Sequence, residues 1–255
     1  MGTLIRLELR KMLLKKRMFI VWVGVIFLSF VSITDISIDE TYAMIFSKGY
    51  GLVPLMGLMM FMMFSGGYTS EYSSNMGSLI KTTKYGKREF VIGKALAAGI
   101  GALIINLSIF LTVCLSGLTK FKFAQLNLPL KNLWYFGKSG SDITVIQMIL
   151  IMVITIIIGS FFFAQLGLFL SSISKSAAIP FIFGGLIMGI PYIADDFLPR
   201  ELVKYLGLTP LWGMMSCQII RYKVPVIILI IGIAVMGVGI LLLPRLTLKA
   251  FLKDK

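Results

Sequence analysis

Long apolar runs alternate with short polar stretches along this chain, and the runs exceed what the interior of a soluble domain needs. They cover residues 18–34, 50–68, 91–118, 143–170, 177–194 and 224–243. At about 1.5 Å of rise per helical residue, a hydrocarbon core of ~30 Å takes about 20 residues to cross. All six runs meet or approach that length, and Lys94, near one end of its run, is the single charged residue within them. The pattern predicts an all-α, polytopic membrane protein, one domain of six transmembrane helices over residues 1–255. Composition agrees, with 58% hydrophobic residues and a mean hydropathy of +0.93.

Charge then orients the spans. If the N-terminal segment is cytoplasmic, the inner segments hold 16 of the 25 Lys and Arg residues but 4 of the 11 acids. The inner bases cluster at 6–17, 81–94 and 245–255, with Lys175 in the turn between the fourth and fifth runs. This asymmetry predicts both termini in the cytoplasm. It also accounts for the sequence pI of about 9.9 without nucleic acid, because no basic face is interleaved with aromatic residues. The opening, basic residues followed by an apolar run, resembles a signal peptide. No small-x-small cleavage pattern follows it, so it reads as a retained first span.

Residues 3–17 have helical propensity, with Thr3 as a candidate N-cap. Ile5, Leu9, Met12 and Leu13 share a stripe; Arg6, Arg10 and Arg17 lie beside it, and Glu8, Lys11 and Lys15 opposite. That pattern predicts an amphipathic helix lying at the inner membrane surface. The second run is dense in methionine, with Met56, Met59, Met60, Met62 and Met63 followed by Phe64, and Pro54 near its outer end is a candidate kink. Such residues pack a core or form a soft wall for an apolar cargo. Gly93, Ala97 and Gly101, then Gly185 and Gly189, recur at four-residue spacing and predict close helix–helix approach. Residues 195–223 mix apolar and charged residues, which predicts short helices at the outer interface with Trp212 as an anchor.

The chain contains no histidine, which excludes His-metal sites, haem ligation and Ser-His catalysis. Its two cysteines, Cys114 and Cys217, do not make a metal site. No Gly-x-x-x-x-Gly-Lys-Ser/Thr phosphate loop is present, so this chain is not expected to be an ATPase by that route.

The connection at 69–90 carries the most pattern: Glu71, then Gly77-x-Leu79, Thr83 and Lys84, then Lys87-Arg88-x-Phe90-x-x-Gly93-Lys94. This order resembles the cytoplasmic loop of ABC-2 type permeases, the membrane subunits of one class of ATP-binding-cassette exporters. The resemblance extends over nearly the whole chain. It departs at Thr83-Lys84-Tyr85-Gly86, where many members have Thr-Pro followed by Ser and Arg. That variant is similar to small permeases linked with export of, or immunity to, bacteriocins, lantibiotics and other antimicrobial peptides.

The resemblance implies a subunit without its own cofactor, in the cell membrane, most naturally the bacterial cytoplasmic membrane. It implies a dimer with a second permease copy or paralogue, each docking a soluble ATPase subunit that holds ATP and Mg. Glu71, Gly77, Leu79, Thr83, Lys84, Lys87 and Arg88 would carry the coupling. Met56, Met59, Met60, Met63, Phe64, Phe181 and Phe183 would wall a path for a membrane-active peptide. Three other readings remain open here: a secondary transporter or channel, an intramembrane enzyme, and a non-transporting peptide-immunity protein. The first usually needs a mid-membrane ionisable group, whereas the span centres offer Asn106, Gln147 and Gln165. The second would have to rest on Ser or Lys94 without His.

Overall fold

The computed structural model describes residues 1–73 and 86–252. In chain order the helices are α1 (Gly2–Leu13), α2 (Lys16–Val31), α3 (Ile38–Gly51), α4 (Val53–Phe64), α5 (Thr69–Ser73) and α6 (Gly86–Lys120). Then come α7 (Val145–Ile173), α8 (Ala178–Phe197), α9 (Arg200–Val203), α10 (Pro210–Met214), α11 (Cys217–Arg221) and α12 (Val226–Leu252). Among the described residues, five stretches are long and apolar enough to cross a membrane: Ile38–Tyr72, Arg88–Lys120, Val145–Ile173, Ala178–Phe197 and Val226–Phe251. The chain is therefore an all-helical, multi-pass membrane protein. At 16 residues, α2 reaches only about 24 Å and is shorter than the expected run at 18–34.

The helices run up and down between two ends. At one end lie α1, Glu71, Lys94 and the close of α7 and α12: the Tyr72 hydroxyl donates to the Ser172 carbonyl at 2.9 Å, and Phe251 stacks on Tyr72 and Phe90. At the other end the Lys120 ammonium donates to the Ile33 carbonyl at 2.9 Å and pairs with Asp35. The Tyr42 hydroxyl donates there to the Ala124 carbonyl at 2.5 Å. Residues 128–130 pair backbone-to-backbone with 143–145, and the loop between them buries Leu130, Leu133 and Phe136. Phe46 of α3 meets Phe136 edge-on at 5.2 Å, so this loop caps the bundle.

Several sequence expectations are corrected. The second crossing does not start at residue 50: residues 38–51 are already helical, because Ser37 accepts from the Glu40 N–H and Tyr42, Ile45 and Phe46 are buried. The break falls at Leu52, and Pro54 sits in the first turn of α4, where its missing N–H costs nothing. Thr3 does not cap α1; the N-cap is Met1, without a side-chain bond. Trp212 is wholly buried and stacked on Tyr222 at 5.2 Å, so it is a core residue and not an interfacial anchor. The two glycine series behave differently. A Cβ at Gly93 would lie 2.6 Å from Leu4 Cδ2, whereas Gly185 and Gly189 face open space. Only the first seats another helix within this chain.

Candidate functional site: a buried ionic brace

α1 lies on the first half of α6 because that face of α6 is small. Leu4 fills the space over Gly93, and Leu9 and Met63 meet over Gly101. This close approach brings Glu8 of α1 inward, where it is buried. The sequence stripe had placed Glu8 on the outer side. Its side chain instead shares a face with Leu4 and Met12, one helical turn away on either side, which was the available local signal.

Glu8 meets two lysines and a second glutamate there. The Lys94 ammonium, 1% exposed, donates to Glu71 Oε1 at 3.0 Å and lies 3.6 Å from Glu8 Oε2. Lys11 donates to the same Glu71 oxygen at 2.7 Å and lies 4.0 Å from Glu8. Glu8 Oε2 makes no hydrogen bond, so its contact with Lys94 is ionic alone. Lys94 also sits 4.9 Å from the Tyr68 ring centroid and 5.0 Å from that of Phe90, within cation–π range. Phe251 packs over both rings, at 5.3 and 6.0 Å, and closes the aromatic side. Burial by itself would lower the pKa of Lys11, but its hydrogen bond to Glu71 and the field of both glutamates carry it above the ordinary lysine value. Taking such charges out of water is costly, and close opposite partners offset that cost.

Three segments distant in sequence are thus tied at one point: α1, the close of the second crossing, and the start of α6. Of the expected coupling residues, Glu71 is in this brace with its carboxylate buried, and Arg88 is exposed two residues into α6. Gly77, Leu79, Thr83, Lys84 and the side chain of Lys87 lie outside the described residues. Glu8, Lys11, Tyr68 and Phe251 were not foreseen as members.

The expected path residues divide. Met56, Met59, Met60, Met63 and Phe64 are buried inside the chain, and Asn106 donates to the Met60 sulfur at 3.1 Å and to the Ser160 hydroxyl at 3.0 Å. In this arrangement Met56, Met59, Met60 and Phe64 form core, while Met63 also borders a shallow pocket with Met62 and Met18. Phe181 lines an open groove of about 270 Å³ between α4 and α8, together with Leu58, Phe61 and Leu186. Phe183 is exposed but does not line that groove. Among the polar residues of the runs, Gln147 closes the capping box of α7 with Thr144, and Gln165 donates to the Ala95 carbonyl at 3.4 Å. Both cysteines are free and buried, and burial pushes the Cys217 thiol up to about 12. Among the described residues, no cluster of ligating side chains could hold a metal ion.

No family model matches the chain, and no curated protein matches it.

Proposed function

We propose that this protein is the membrane subunit of an ATP-driven exporter, in which a soluble ATPase acts on the 69–90 connection and the ionic brace passes that force to α1 and α6. The observation that carries the reading is the brace itself. It sits at the root of the connection, so a push there moves the second crossing, α6 and the surface helix as one body. In this reading α2 completes a sixth crossing, both termini are cytoplasmic and α1 lies at the inner interface. Among the described residues the braced end carries most of the Lys and Arg, as the positive-inside rule asks of a cytoplasmic face.

A second copy or a paralogue would pair through α8, whose Ile182, Phe183, Leu186 and Ile190 are exposed beside the open Gly185 and Gly189. The cargo is amphipathic, most naturally a membrane-active peptide. The groove beside Phe181 is apolar, and no ionisable side chain lies at the centre of the described crossings to coordinate an ion. That weighs against a secondary transporter or channel. A non-transporting immunity protein would share the fold but need no ATPase.

Purified from native membranes in mild detergent, the chain should bring down a soluble ATPase bearing a phosphate loop, identified by mass spectrometry. The Lys87→Glu, Arg88→Glu variant should lose it while staying in the membrane, since charge reversal opposes the contact. Recovery of the chain alone would overturn the exporter reading and favour the immunity protein. Orientation has its own check. A cysteine at Lys131 or Lys204 should react from outside intact cells with an impermeant maleimide, and one at Lys84 should not. The native cysteines should be silent, because both are buried. Labelling at Lys84 would invert the topology.

A further inference from the structure

At the end of the molecule opposite the brace, a half-open cavity of about 620 Å³ lies between the close of α8, the segment 198–204 and the loop carrying Trp134. Its back wall is a set of polar groups with unspent hydrogen-bonding capacity. The Arg221 guanidinium lies 4.4 Å from the Tyr135 ring centroid and 5.0 Å from that of Tyr222. It donates to the Gln218 side-chain amide oxygen at 3.4 Å, bonds the Tyr135 hydroxyl and forms a loose ion pair with Asp195 Oδ2 at 3.9 Å. A guanidinium offers five N–H donors, so some of them are spare while the two rings fix its plane. Lys138, Arg200, Lys204 and Lys223 line the cavity and outnumber Asp196 and Glu201 beside them, and none of the four makes an ion pair among the described residues.

Beside this positive wall is a buried carboxylate. Asp195 is 8% exposed and pairs with Arg221; its carboxylate accepts from Gln218 at 3.0 Å and from the Tyr222 hydroxyl, and the enclosed Oδ1 has no further donor. A buried carboxylate oxygen without a donor is costly and calls for an N–H. Tyr222, pushed up to about 12 by burial and by its hydroxyl's hydrogen bond to Asp195, stays a neutral phenol and supplies no competing charge. Spare guanidinium donors and a carboxylate short of one donor, side by side at one cavity, match a ligand with an anion and an ammonium a few bonds apart. The cavity's setting narrows the choice further. It opens where the apolar helix α8 ends; exposed Trp134 lines it, and Phe197, Leu202 and Tyr205, neighbours in sequence of its lining residues, are exposed too, as groups at a headgroup boundary are.

We propose that this cavity binds a phosphate ester bearing a primary ammonium, the headgroup of an aminophospholipid. Arg221 and the rim lysines take the phosphate, and Asp195 takes the ammonium. The site is independent of the cargo and of any ATPase.

The test is calorimetric titration of the full chain, in maltoside micelles, with dihexanoyl phosphatidylethanolamine, dihexanoyl phosphatidylcholine and free phosphoethanolamine. The ethanolamine lipid should bind saturably at one site. The choline lipid, whose trimethylammonium has no N–H, should bind about tenfold more weakly, as expected for loss of a charge-assisted hydrogen bond. Asp195→Asn should abolish that preference. Lys138→Ser with Lys204→Ser, both on the rim and away from the core, should weaken the two lipids equally and leave the preference intact. Equal binding of both lipids by the unaltered chain, absence of saturation, or a preference that survives Asp195→Asn would overturn the proposal. Phosphoethanolamine binding as tightly as the lipid would show a soluble ester to be the ligand, and would overturn the lipid assignment.

Discussion

Lys94→Met should lower the stability of the folded protein by about 3–5 kcal/mol, the range found when one partner of a buried ion pair is removed. Lys94 is almost fully enclosed, and its loss leaves Glu8 with Lys11 alone, at 4.0 Å, and strips Glu71 of one of its donors. Methionine matches the lysine stem in length, so the loss reports charge and not a cavity. Thermal unfolding in detergent, followed by circular dichroism, reads the change directly. The triple variant Lys94→Met, Glu8→Gln, Glu71→Gln should recover most of it, because replacing a whole buried ionic group by neutral residues is often close to neutral. An unfolding midpoint for Lys94→Met equal to that of the unaltered protein would show that the brace does not hold these segments together.

The second large effect is steric. A Cβ at Gly232 of α12 would lie 2.6 Å from the carbonyl oxygen of Gly207, in the 3₁₀ turn Lys204–Leu208. A backbone oxygen cannot swing aside as a side chain can, so Gly232→Ala must lift α12 off this turn. The expected cost is about 1–3 kcal/mol, the usual range for overpacking. Gly237, one and a half turns further along the same helix, has nothing within 4 Å of a built Cβ. Gly237→Ala should be neutral or gain up to about 1 kcal/mol from helix propensity. Measured side by side, equal stability of the two variants would mean that α12 and the outer segment do not approach as described.

Hydropathy located the crossings because each is a run of apolar residues whose signal is local. Their ends were harder. Residues 38–49 contain Asp39, Glu40 and Lys48, which suggested an outer connection, yet they fold as α3 with Tyr42, Ile45 and Phe46 inward. Ser37 with Glu40 three residues on is a helix-start pattern, so that signal was present and outweighed by the charges. Glu71 was legible as a residue of interest from its place in a patterned loop. Its partners were not, because Lys11 is 60 and Lys94 is 23 residues away, and local spacing says nothing about such pairs. The methionines illustrate the converse. Their composition fits a cargo wall and a core equally, and only packing shows that Met56, Met59 and Met60 are fully enclosed. The outer cavity had no sequence signal of its own, since Trp134, Asp195 and Arg221 come from three separate segments.

The aromatic lid over the brace also decides how the protein responds to its ionic surroundings. At 0.15 M salt the Debye length is about 8 Å, and counterions screen charges that water can reach. Lys131 with Asp142, at 2.6 Å, and Lys120 with Asp35 are open to that screening, since both aspartates are mostly exposed. Lys94 and Glu8 are largely shielded, with side chains 1% and 10% exposed and the Tyr68 and Phe90 rings over the ammonium. The Glu8–Lys94 clasp between α1 and α6 therefore loses little strength as salt rises, whereas the half-exposed Lys11 and the loop pairs at the far end are weakened.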